Sequence, residues 1–87
     1  MKVGDLVWYN SAGSSRTAII LDFAKNNWLD HRVKTEMVKV FWTGGEGPMP
    51  AMYGRFGERI YNHDAHTCFV RAKTHMGFNM FKVISSV

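Results

Sequence analysis

The chain has 87 residues, 46% of them hydrophobic, and eleven Lys and Arg against seven Asp and Glu give a formal net charge of +4. That length allows one domain with a small core, and an aromatic content of 14% excludes a disordered tail. Three Leu, no Gln and no apolar run near the roughly 20 residues of a membrane helix exclude a helical bundle and a helical membrane span. In chain order, Val3 to Tyr9 reads as a first strand, opened by Gly4-Asp5 and followed by no apolar stretch of the kind a secretory signal needs. Asn10 to Arg16 (NSAGSSR) is a loop of small polar residues. Thr17 to Phe23 (TAIILDF) is apolar on both faces, as in a central strand, with Asp22 turned to solvent or to a neighbouring Arg. Asn26 to His31 reads as a hairpin tip. Thr35 to Thr43 then alternates, with Val38, Val40 and Trp42 on one face and Met37, Lys39 and Phe41 on the other.

The stretch from Thr43 to Glu58 holds five glycines and both prolines, which predicts a long irregular connection, either functional or mobile. Thr67 to Lys73 resumes alternation, with Cys68, Val70 and Ala72 opposite Phe69, Arg71 and Lys73. Thr74 to Met80 predicts a single helical turn, and Phe81 to Ser85 a short closing strand. The expected fold is therefore all-β, a five-stranded barrel over residues 1–87. Its core would take Val3, Val7, Ile20, Val38, Val40, Trp42, Val70 and Val83.

The opening KVGDLVWY (Lys2 to Tyr9), RTAIILDF (Arg16 to Phe23), VKVFW (Val38 to Trp42) and the terminal FKVIS (Phe81 to Ser85) resemble the Src-homology-3-like small barrels of short bacteriophage-encoded proteins. The resemblance implies the five-stranded barrel and a binding role in the host cytoplasm or the virion, without choosing the partner. The insert from Gly44 to Glu58 and the His-rich approach to the fourth strand depart from it. GDLVWYNSAGSSRTAIIL also resembles the start of messenger-RNA interferase toxins of the MazF type, which implies a ribonuclease arginine near Arg16. The proline that usually follows that arginine is missing.

Little here reads as catalysis. His63-Asp64-Ala65-His66-Thr67-Cys68 gathers zinc-type ligands, with His66 and Cys68 on one strand face and His31 or His75 as further candidates. Zinc sites show paired close spacings at two places, and only one irregular group exists, so Cys68 is read as a buried small hydrophobe and no metal or cofactor is expected. The one cysteine can make no internal disulfide, in keeping with a reducing compartment. No phosphate loop or nucleophile elbow is present, and the chain is read as a non-enzyme.

Two binding surfaces stand out instead. The long connection carries Met49, Met52, Tyr53, Arg55, Phe56 and Arg59, a Met- and aromatic-bearing set suited to a protein partner, which is the favoured reading. An aromatic–basic face of Trp8, Arg16, Lys39, Phe41, Phe69, Arg71 and Lys73 would stack bases and hold phosphates, making nucleic acid the alternative.

Overall fold

The computed structural model describes residues 1–11, 13–24, 36–54, 57–61, 65–74 and 76–86. They form an all-β, antiparallel sheet: β1 (Leu6–Ser11), β2 (Ser14–Ala24), β3 (Met37–Glu46), β4 (Met52–Tyr53), β5 (Arg59–Ile60), β6 (Thr67–Arg71) and β7 (Phe81–Ser85). The spatial order is β5-β4-β6-β3-β2-β1-β7. Seven strands replace the expected five because the long connection contributes a short hairpin, β4–β5, which docks onto β6 by pairing Tyr53 with Phe69.

Local chemistry sets the ends of the elements. Before β1, Gly4 takes φ 92 and the buried Asp5 closes a turn, its Oδ2 accepting from Lys2 N at 2.9 Å. Gly4 N donates to Ile20 O, and Ile20 N to Asp5 O, so the β1–β2 ladder is already running at that turn. The polar NSAGSSR stretch is mostly strand, since Ser11 pairs with Ser14 across a tight connection with Gly13 at φ 78. Positive φ at a hairpin tip matches the right-handed twist of the strands it joins.

Alternation sends one face inward. Val7, Tyr9, Ala18, Ile20, Val38, Val40, Trp42, Met52, Cys68, Val70, Ala72 and Phe81 make one core cluster, against which Phe23, Met49, Ile60 and Met80 pack. Contributions from β1, β2, β3, β4, β6 and β7 to a single cluster mean that the sheet is rolled. Tyr9 links its parts: its ring lies 5.7 Å from Trp42, edge-on, and 4.9 Å from Phe81, and its hydroxyl donates to Met80 Sδ at 3.6 Å. Full burial of each large side chain contributes about 1.5–3 kcal/mol.

Two expected core residues lie elsewhere. Val3 is 54% exposed because it precedes the Asp5 turn, and Val83 is 39% exposed on the edge strand β7. Met37, expected on the outward face, is fully buried there and stands outside the core cluster. The helical turn expected in Thr74 to Met80 is a β-type turn. Gly77 N donates to Thr74 O, Thr74 N to Phe78 O, and Lys73 bridges Asn79 antiparallel. No helix occurs among the described residues. The hairpin tip expected at Asn26 to His31 falls outside them.

Candidate functional site

The outward face of the sheet carries one continuous cross-strand row. Asp22 on β2 pairs with Lys39 on β3, Lys39 with Phe69 on β6, Phe69 with Tyr53 on β4, and Tyr53 with Arg59 on β5. Cross-strand partners share a face, so a carboxylate, an ammonium, two rings and a guanidinium stand in line. Arg71, two residues along β6, places its Cζ 5.9 Å from the Tyr53 centroid, and Arg59 lies 5.8 Å from the same ring and 5.5 Å from Tyr61. These distances fall within the range of cation–π attraction. A cleft of about 350 Å³ opens along the row, walled by Asp22, Lys39, Tyr53, Ile60 and Phe69.

A bulge sets the row's membership. Ile20 pairs with Val40, but the next pair is Asp22 with Lys39, leaving Leu21 as an extra residue in β2. Without it Asp22 would face Val38 and turn into the core. With it Asp22 stays outside and Phe23 pairs with Val38, packing on the core. Asp22 Oδ1 then accepts from Phe23 N at 2.8 Å. A second irregularity leaves Thr43 extra in β3, where its hydroxyl donates to Thr17 Oγ1 at 2.8 Å.

The residues expected on the aromatic–basic face divide. Lys39, Phe69 and Arg71 come together. Phe41, 41% exposed, pairs with Thr67 in the adjoining row, and its ring stacks on His66 at 6.1 Å. Lys73 lies past the end of β6, with Arg71, in a separate cleft. Trp8 is on β1, opposite Thr17 and Lys82, away from the row. Arg16 pairs with Gly45, and its Nη2 donates to Gly47 O at 2.8 Å, so it braces the end of the β2–β3 ladder.

The set expected on the long connection divides as well. Met52 is 2% exposed and belongs to the core, because β4 alternates and Met52 is its inward residue. Met49 is half-buried against the same core. Tyr53 and Arg59 face outward and join the row, while Arg55 and Phe56 fall outside the described residues. Sequence reasoning grouped Tyr53 and Arg59 with the long connection, and strand pairing sets them in line with Phe69. The missed signal was hairpin punctuation: Gly54 and Gly57 between Met52-Tyr53 and Arg59-Ile60, closed by Gly54 N donating to Glu58 O at 2.8 Å.

Of the zinc-type ligands, His66 and Cys68 lie among the described residues, and these two stand apart. β6 begins at Thr67, so His66 lies before the alternation and stacks outside on Phe41, whereas Cys68 points into the core. His31, His63 and His75 are outside the described residues. Among the described residues no group of three His, Cys, Asp or Glu is assembled. Burial pushes the Cys68 thiol up to about 11, against a lesser downward pull from the Trp42 indole. Burial also raises the Tyr9 phenol well above its ordinary range, so it remains a proton donor.

No protein-family model, no curated protein and no solved structure matches the chain.

Proposed function

We propose that the chain is a non-catalytic binding module of the Src-homology-3-like small-barrel kind, and that its row takes single-stranded nucleic acid. The neighbour order β7-β1-β2-β3-β6 supports the barrel: four consecutive antiparallel neighbours, with the last strand returning beside the first. The β4–β5 hairpin is then an addition beyond the fourth barrel strand. The resemblance of the opening and closing strands to bacteriophage proteins supports an accessory or virion-associated setting.

One observation carries the choice of ligand: Lys39, Phe69, Tyr53 and Arg59 follow one another across four strands, with Arg71 beside Tyr53. Aromatic faces at sheet level stack unpaired bases, each worth about 1–3 kcal/mol, and flanking cations take the phosphates. A duplex hides those base faces, so a single strand fits better. The test is fluorescence anisotropy with a labelled oligothymidine at several salt concentrations. Phosphate neutralisation by Lys39, Arg59 and Arg71 predicts a log–log salt slope of about −2, at roughly 0.7 per contact. A flat slope, or no binding at low salt, ends this reading.

A protein partner is the second reading, favoured by a different surface from the one expected. Tyr61 is 77% exposed, Met76 72% and Phe78 67%, the last two on the turn before β7. Co-replacement of Met76 and Phe78 by Ser abolishes association under this reading and leaves oligothymidine binding unchanged.

A further inference from the structure

Tyr53 borders two clefts. One is the cleft along the row. The other, of about 260 Å³, lies where the end of β6 meets the end of β1, and is lined by Tyr9, Ser11, Tyr53, Arg71, Lys73 and Thr74. The two differ in charge. The first contains Asp22, whereas among the described residues no carboxylate lines the second, which has two cations and several hydroxyls. Glu36 reaches this end of β6 by its backbone, its carbonyl accepting from Ala72 N at 3.0 Å.

Arg71 is the informative residue. Its side chain is half-buried, and its Nε is buried with no hydrogen-bond partner among the described residues. A buried, unsatisfied donor on a cationic group costs free energy unless an acceptor arrives. Beside it Lys73 is exposed, so an incoming group can reach the cleft. The raised phenol of Tyr9 lies close enough to feel the Arg71 charge and stays protonated, adding no negative charge. The volume falls below the roughly 300–1,000 Å³ of clefts that hold drug-sized organic ligands, which favours a compact anion.

We propose that this second cleft is a seat for a phosphate group, held by Arg71 and Lys73 with hydroxyls of Ser11 and Thr74 as further donors. Guanidinium and ammonium suit phosphate differently, the first as a planar fork and the second as a point charge. Assigning the phosphate to a nucleic-acid strand rests on the reading above: a base stacked on Tyr53 carries its backbone phosphate toward Arg71. A free phosphate is the other source of the same chemistry.

The test uses the full chain and two probes. Inorganic phosphate, titrated at constant ionic strength against chloride, is expected to give saturable NMR shifts at the amides of Ser11, Arg71, Lys73 and Thr74 and at Arg71 Nε–H. Arg71→Gln with Lys73→Gln weakens that binding tenfold or more. Should the double variant misfold, Lys73→Gln alone, at an exposed position, must still weaken it. Shifts that fail to saturate, that chloride reproduces, or that survive Lys73→Gln at full affinity overturn the seat. Oligothymidine carrying single neutral methylphosphonate linkages then identifies the source. One linkage whose neutralisation costs the native chain about tenfold, and the double variant nothing, assigns the phosphate to the strand. Saturable phosphate binding with no competition from oligothymidine upholds the seat for free phosphate and removes the strand reading. Oligothymidine binding that is equal in native and double-variant chains, at every linkage, overturns the assignment to the strand and removes Arg71 from the row's phosphate contacts.

Discussion

Gly45 takes φ +142 opposite Arg16, and a Cβ there would stand 2.5 Å from Arg16 Cγ and 2.6 Å from its Cα. One of those atoms is backbone and cannot step aside. Gly77 offers the comparison, at φ +87 with nothing among the described residues within 4 Å of a Cβ. Gly77→Ala is therefore expected to cost about 1–2 kcal/mol from backbone strain alone. Gly45→Ala costs more, about 3 kcal/mol, because contact adds to strain. Urea midpoints at constant m measure both. Cys68 makes a second prediction at this scale. Its ordinary value is 9.0 and the folded thiol stands at about 11. An acid raised by folding contributes stability that is complete below about pH 9 and lost as pH climbs toward 11, since the unfolded chain releases the proton first. Native Cys68 is expected to react with iodoacetamide at pH 8 about a hundredfold slower than the chain in urea. Equal rates would contradict its burial.

The β4–β5 hairpin separates two neighbours that composition alone treats alike. Met52 fills the core and Tyr53 faces the row, so Met52→Ser is expected to cost about 2–5 kcal/mol of stability. Tyr53→Ser leaves the fold within about 1 kcal/mol and weakens oligothymidine binding by about 1–3 kcal/mol. Urea denaturation and anisotropy on the same two variants check the assignment; a reversed order refutes it. Strand existence was legible because β-branched and aromatic residues alternate: Val38, Val40 and Trp42 are inward as expected, and β7 has the expected ends. Less legible were features that alternation cannot carry. The turn at Asp5 depends on a carboxylate reaching backbone, and the Thr74–Met80 turn on hydrogen bonds that a short polar stretch does not announce. The hairpin's strands span two residues each, too short for a period to show.

For the whole molecule, a net charge of +4 describes a sum, whereas binding depends on where the charges stand. Lys39→Gln and Lys82→Gln change the total equally, but Lys39 lies in the row and Lys82 beside Trp8 on the β1–β7 pair. Lys39→Gln is expected to flatten the salt slope by about 0.7, and Lys82→Gln to leave it unchanged. Equal effects would mean that overall charge alone drives association. The site was half legible for this reason. Residues two apart on β6, Phe69 and Arg71, share a face by alternation alone. That Tyr53 and Arg59 stand in line with Lys39 depends on register between distant segments, which one-dimensional spacing does not encode.

Leu21 loosens the tie between that register and chain length. Inside and outside along a strand are a matter of odd and even, and point substitutions leave that parity untouched however many accumulate. Insertion or deletion of one residue reverses it downstream unless a bulge absorbs the difference, as it does at Leu21. A chain lacking Leu21 would keep Asp22 opposite Lys39 and Phe23 opposite Val38 in plain alternation, so the surface at this end of β2 tolerates the loss of that one residue. A gap at position 21 is thus expected to leave the membership of this row unchanged.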